Sequence, residues 1–317
     1  MIKNKEKNIL ALEASSPEEL DTSLTASLQG EDKAMRPVAL SVRGPKIIVR
    51  PFHLANVPLK DVGHHLLSEA VELMSMTSDE IEFDFQITKS DQDDMRGIYA
   101  CMSKKVLEDY LLVLDKENLN PIKITEHFLT CVDSLYQQNI LNGARVCFLD
   151  FSAKNIVNLF VSSNRECELL RKIPFEGLDE AQAEIVQSLR SASAKSWPKH
   201  YDGIYYAGDL EGTDELLEKL EKRFDTNVEK VSTLDAKTAL CSENTYFGLN
   251  LLKNYIFSAL ESKYIHMGMN IVLTLCVLNI MVSGARIMMK GRAINKVKSS
   301  YQVSEYQYAV DLSRNTK

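Results

Sequence analysis

The sequence predicts an α/β protein in which one large domain is followed by a single membrane-spanning helix. Two observations carry this. Segments with strand and helix signals alternate from Asn8 to Val231, the pattern of an α/β class. Further on, Met267 to Ala285 reads MGMNIVLTLCVLNIMVSGA, with no charged residue. At ~1.5 Å per residue that run spans roughly 28 Å, against a hydrocarbon core of about 30 Å.

Taken in order, Asn8 to Ala14 is apolar and strand-like. Ser15-Ser16-Pro17-Glu18-Glu19 opens a helix with a serine cap, a proline in the first turn and acids near the positive end of the dipole. Leu20, Leu24 and Leu28 give it one apolar stripe, and Gly30 ends it. Pro37 to Val42 and Ile47 to Phe52 read as two strands of a hairpin turning at Arg43-Gly44-Pro45-Lys46. Pro58 to Met74 is helical. Ile81 to Ile87 alternates strictly and predicts a half-buried strand. Further strands are expected at Gly97–Met102, Ile122–Thr125, Arg145–Leu149, Ile156–Ser162, Glu168–Ile173, Gly203–Ala207 and Val228–Val231. Helices are expected at Lys105–Glu117, Phe128–Gln138, Leu178–Ser193 and Asp214–Phe224. Ser232 to Tyr246 reads as a short polar linker.

Composition excludes several functions. The net charge is −7 over 317 residues, and the basic residues cluster only after the apolar run, at Lys290, Arg292, Lys296 and Lys298. A nucleic-acid surface needs more clustered cations than that. The six cysteines show no CxxC spacing, and the histidines, His64-His65 included, form no ligand pattern, so no metal is expected. Neighbours on a helix point about 100° apart and cannot share one ion. No P-loop, G-x-S-x-G or H-E-x-x-H string is present. The polar start, MIKNKEKN, lacks a signal-peptide pattern, which places the main domain in the cytoplasm. The charge bias across the apolar run, with Lys253 and Lys263 before it and five cations after it, would favour a cytoplasmic tail. The two signals conflict, and the tail is expected on the far side.

Val38 to Gln86 reads VALSVRGPKIIVRPFHLANVPLKDVGHHLLSEAVELMSMTSDEIEFDFQ, with Arg50 central in a strand, then a helix and an acidic entry into the alternating strand. This order, continued through Ile98–Tyr136, Val146–Gly177 and Ile204–Phe224, resembles the type IV pilus assembly protein PilM family. Type II secretion protein L is similar, with a related cytoplasmic part followed by one membrane helix. The resemblance implies a two-lobed, actin-like (ribonuclease H-like) domain over residues 1–231. A linker carrying a PilN-like peptide and a juxtamembrane helix then covers 232–266, a transmembrane helix 267–289 and a short tail 290–317. It further implies a single-pass protein of the bacterial inner membrane. Expected partners are PilN- and PilO-like membrane proteins and a cytoplasmic assembly ATPase, with a second copy of the chain a further candidate.

Actin-like folds hold ATP with two phosphate hairpins and a glycine-rich adenosine loop. In this sequence the first loop has no counterpart between Asn8 and Pro17. The second falls at Leu149–Lys154, where Asp150 matches the family acid but bulky Phe151 replaces glycine. The third falls at Ala207–Leu210, where Gly208 remains. Asp150 and Gly208 are therefore remnants of a nucleotide site, no cofactor is expected, and the chain is not expected to hydrolyse ATP. The resulting expectation is a non-catalytic scaffold of a pilus or secretion platform. The alternative is an ATP-binding actin-like regulator of the same machinery. Phe247-Gly248-Leu249-Asn250-Leu251-Leu252 looks like the start of PilN, a peptide that PilM-type proteins hold in a groove of the first lobe. Phe247, Leu249, Leu251 and Leu252 supply apolar anchors and Asn250 a backbone partner. Docking in cis is expected around Ile47–Phe52 and Leu59–Leu73; the alternative is a helix from Phe247 to Tyr264.

Overall fold

A computed structural model describes residues 9–27, 36–91, 94–153, 155–195, 200–209, 212–233, 236–242 and 245–253, with scattered helical positions between 274 and 292. The chain forms two compact units, Met1–Tyr255 and Ile256–Lys317.

The first unit begins with β1 (Leu10–Ala14) and α1 (Pro17–Ser27). The Ser16 hydroxyl accepts the Glu19 N–H, and the Glu19 carboxylate accepts the Ser15 N–H, so this helix starts on a reciprocal cap. β2 (Arg36–Val42) pairs in parallel with β1 and with β6 (Leu119–Glu126), giving a three-stranded sheet in the order β1-β2-β6. α1 and α3 (Lys104–Lys116) pack together on this sheet through Leu20, Leu24, Leu107, Tyr110 and Leu114, all fully buried. β3 (Ile47–Ala55), β4 (Ile81–Asp91) and β5 (Asp94–Ser103) form a second, antiparallel sheet in the order β3-β5-β4. α2 (Val62–Met74) covers one face of it with Val62, Leu66 and Ala70.

β2 and β3 are therefore not a hairpin. Leu40 is paired with Leu12 and Ile124 in one sheet, and Val49 with Ala100 in another. Every residue of β2 from Val38 to Val42 is buried, so this strand needs a neighbour on each side. Arg43–Lys46 is a crossover between sheets, with Gly44 at φ 103°.

The second lobe is a five-stranded mixed sheet in the order β11-β10-β7-β8-β9. It comprises β7 (Arg145–Ala153), β8 (Ile156–Ser163), β9 (Glu166–Pro174), β10 (Gly203–Ala207) and β11 (Val228–Lys230). β7, β8 and β9 form an antiparallel meander, while β10 and β11 add in parallel. α5 (Leu178–Lys195) and α6 (Thr213–Phe224) cover one face, burying Ile185, Leu189, Leu216 and Leu220 against Cys147, Leu149 and Leu159. Alternation along β7 sends Phe148 to the opposite face, where it stacks on Phe128 at 5.4 Å.

That Phe128 belongs to α4 (His127–Gln137), which lies between the two lobes and is buried from His127 to Tyr136. α7 (Ala236–Cys241) packs against α4, β1 and β2. The stretch read as a polar linker thus contains a helix. Ala236, Ala239 and Leu240, at spacings of three and four, make a short apolar stripe that is buried in the core. The first unit accordingly takes in residues beyond 231.

Of the second unit, positions such as Thr274, Met281, Met288 and Lys290 are helical, and Met281, Met288 and Met289 are more than 60% exposed. The expected membrane helix at 267–289 and the tail at 290–317 fall almost wholly outside the described residues. Among the described residues, no helix is long and apolar enough to cross a membrane.

Candidate functional site

Two sites lie at opposite ends of α4. At its N-terminus is the cleft between the lobes, which holds Asp150 and Gly208; at its C-terminal end is a groove that holds Phe247–Leu252.

The cleft is occupied by the protein's own charges. Glu126 caps α4 through Oε2, which accepts the Leu129 N–H at 3.0 Å, while its Oε1 lies 3.0 Å from the Lys172 ammonium. Lys172, on β9, also donates to the carbonyls of Gly44 and Ile47 at 3.0 and 3.3 Å, so one cation ties the second lobe to the first. Arg43 pairs with Glu13 and donates to His127 Nε2 at 2.9 Å. Because arginine only donates, Nε2 must be the accepting nitrogen. The ring proton is then on Nδ1, facing the Ser41 hydroxyl at 3.3 Å. Burial, with Arg43 and Lys172 nearby, pulls the His127 pKa down to about 4, so the ring is neutral at physiological pH.

Asp150 is buried at the same cleft, with both carboxylate oxygens engaged by its own hairpin. Oδ1 accepts the Ser152 N–H at 3.0 Å and Oδ2 the Asn158 amide at 3.1 Å. Gly208 follows β10, whose Ala207 pairs with Asp150. It has φ 91°, and a Cβ there would lie 2.7 Å from the Phe151 and Ser152 backbone, so only glycine lets the two turns approach this closely. The structure thus brings Asp150 and Gly208 together. Phe151 does not obstruct the cleft: alternation along β7 turns it into the core beneath α5 and α6. What remains between Asp150, Asn158, Glu126 and Lys172 is a cavity of about 30 Å³. That is room for a water or two, whereas small-molecule pockets enclose about 300–1,000 Å³.

The groove is built from β4, β6, α4 and β8. Phe247, Leu249, Leu251 and Leu252 are each 1% exposed and belong to the main core. The backbone N–H of Phe247 donates to Asp133 on α4 at 2.8 Å, and that of Asn250 to Asp84 on β4 at 2.9 Å. Two side-chain amides stand in for a strand's backbone. Gln86 accepts from the Gly248 N–H and donates to the Tyr246 carbonyl. Asn250 donates to the Ile122 carbonyl at 3.1 Å and accepts the Ile124 N–H at 3.0 Å. Leu251 N–H then reaches the Ile124 carbonyl at 2.9 Å, so the segment lies along the free edge of β6. Tyr246 stacks on Tyr136 at 4.2 Å, Phe247 meets Phe160 edge-on at 5.9 Å, and the Arg165 guanidinium caps Tyr136.

Asp133 is buried, and desolvation lifts its carboxyl to about 7 despite the Phe247 N–H and the nearby Lys123. Asp84 is raised by the same cause, offset in part by the Asn250 N–H and by Lys253.

The segment's hydrogen bonds therefore go to neither Ile47–Phe52 nor Leu59–Leu73; it shares a core cluster with Ile47 and Val49, while α2 belongs to another. The segment lies along the polar side of the alternating strand. Ile81 and Phe83 face α2, which leaves Glu82, Asp84 and Gln86 on the other side, where the segment bonds to Asp84 and Gln86. Phe247 to Leu251 are not helical either: a helix begins only at Leu252. Sequence reading missed Asp84, Gln86 and Asp133. The available signals were the strict polar alternation of β4 and a lone acid in the apolar helix at 128–138.

No family model matches the chain, and no curated protein matches it. Among solved structures, a PilM-PilN type IV pilus biogenesis complex is similar at TM-score 0.54 and 16% identity, over 69% of this chain and 75% of that one. A Bacteroides thetaiotaomicron protein with an actin-like ATPase fold and unknown function is similar at TM-score 0.51 and 10% identity, over 76% and 98%. The cytoplasmic domain of EpsL, an inner membrane component of the Vibrio cholerae type II secretion system, gives TM-score 0.44 at 10% identity, over 75% and 83%. The first two likenesses show an actin-like fold.

Proposed function

We propose that this chain is a non-catalytic scaffold of a type IV pilus or type II secretion assembly platform. One helix over 267–289 holds it at the bacterial inner membrane, with the actin-like domain in the cytoplasm. The observation that carries this reading is the seating of Phe247–Leu252 along the edge of β6, held by two buried carboxylates and two side-chain amides. A segment fixed in this way anchors the domain to the stretch of chain that leads into the apolar run, as suits a protein that links cytoplasmic and membrane components. Its partners on this reading are PilN- and PilO-like membrane proteins and a cytoplasmic assembly ATPase. The internally paired cleft supports a role without ATP turnover. Retention of Asp150 and Gly208 in contact favours the second reading, an ATP-binding regulator of the same machinery.

Deletion from His266 onward is the test. The truncated protein moves to the soluble fraction, because the apolar run is the chain's strong membrane signal. Persistence in carbonate-washed membranes contradicts the tether. The full chain shows no magnesium-dependent ATPase above a blank; turnover abolished by Asp150→Ala contradicts the non-catalytic assignment.

A further inference from the structure

On the outer side of the second lobe, away from both sites on α4, α5 and α6 enclose an open groove of about 760 Å³. Its floor is made of small residues: Ala183 and Ala194 are exposed along one face of α5, while Ile185, Val186 and Leu189 are buried in the core. From Asp179 to Ala194 this face is ~22 Å long at ~1.5 Å per residue, which matches a helix of about four turns.

The walls carry an inverted charge. Arg190 on α5 and Arg223 on α6 both line the groove and are both exposed. Neither has a hydrogen-bond or ion-pair partner among the described residues, and in this they differ from their neighbours. Lys219 is paired with Glu215, Lys222 with Glu218, and Arg171 with Glu184. In a chain of net charge −7, two unpaired guanidiniums on separate helices converge on one groove. Guanidinium forks match carboxylates in a bidentate geometry, and their weak hydration suits a protein interface. Asp179 marks the other end, so the attraction for acids is confined to the half lined by Arg190 and Arg223.

We propose that this groove is a docking site for an acidic amphipathic helix of a partner protein. The partner's carboxylates, at i, i+4 spacing, meet Arg190 and Arg223, and its apolar side packs over Ala183 and Ala194. The proposal is independent of the scaffold reading, because it rests on neither the cleft nor the Phe247–Leu252 segment.

The test is a fluorescence-anisotropy titration of the full chain with a labelled 16-residue Glu/Ala/Leu helix, its glutamates at i, i+4. A control peptide has Gln in place of Glu. The acidic peptide binds, and added salt weakens it. The double variant Arg190→Glu, Arg223→Glu loses about tenfold or more in affinity. Both positions are exposed, and circular dichroism verifies that the variant is folded. Equal binding of the Gln peptide, or of the acidic peptide by the double variant, overturns the proposal. So does a single-stranded oligonucleotide that binds more tightly through the same arginines. A chain dimer that becomes monomeric in the double variant also overturns it, since the occupant would then be a second copy.

Discussion

The cleft and the groove are both filled by the chain itself, but with different chemistry. In the cleft, ion pairs and polar side chains from the two lobes meet around Lys172, Glu126, Arg43 and His127, and the remaining space has room for only a water or two. In the groove, a separate stretch of chain brings four buried apolar side chains and its own backbone hydrogen bonds. Charges that meet across a cleft give up hydration to do so and contribute little net stability. Apolar burial contributes much more. The groove should therefore govern the stability of the first unit, and the cleft should chiefly govern what is excluded from it.

The largest expected effect follows from Leu249→Asp with Leu252→Asp. Each substitution removes a buried leucine, worth about 2–5 kcal/mol when truncated, and adds a carboxylate with no partner. Hydrogen exchange should accelerate throughout β6 and α4. Loss of protection confined to β3 and α2 would mean that the segment sits elsewhere. Next comes Asp133→Ala, which strands the Phe247 N–H and lowers stability by about 1–3 kcal/mol in denaturant titration. A change within a few tenths of a kcal/mol would show that this carboxylate does not hold the segment.

Lys172→Met tests the cleft. It leaves Glu126 and the Gly44 carbonyl without their cation. The expected cost is about 1–3 kcal/mol, with exchange in the Phe247–Leu252 segment unchanged. Loss of protection in that segment would show the two ends of α4 to be coupled.

Asp133 should also set the pH dependence of stability. The Asp133 pKa is raised, to about 7, from the ordinary carboxylate value of about 4. Between these values the folded protein keeps a proton that the unfolded chain has lost. Asp133 therefore makes stability fall as pH rises from about 4 to about 7, with no further effect above. Asp133→Asn should make the loss of melting temperature between pH 5 and pH 8 shallower than in the wild type, with Glu82 and Asp84 still contributing. Identical slopes would contradict the buried-carboxylate account.

Much of the alternating architecture was legible because most elements carry a local pattern, such as the serine cap before Pro17 or the strict alternation of Ile81–Ile87. The pairing of β2 was not legible, because a turn-like Arg43-Gly44-Pro45-Lys46 signals a bend but not which sheet each strand joins. α7 was hidden because six residues with three apolar positions give a weak period. The anchors of the six-residue segment stood out through the resemblance to the start of PilN. Its seat did not, because Asp84, Gln86 and Asp133 are polar groups whose burial depends on a segment more than 100 positions away. The cleft misled in one respect: Phe151 occupies a glycine position in the sequence pattern, yet alternation along β7 turns it away from the site.

On the proposed reading, this actin-like fold, its cleft closed by its own side chains, serves without nucleotide. The most direct measurement is a titration of the purified full chain with a fluorescent ATP analogue and magnesium. The account predicts no saturable signal, and none gained by Lys172→Met alone, since Asp150 remains engaged by Ser152 and Asn158. Saturable binding that ATP competes away and Asp150→Ala abolishes would contradict it.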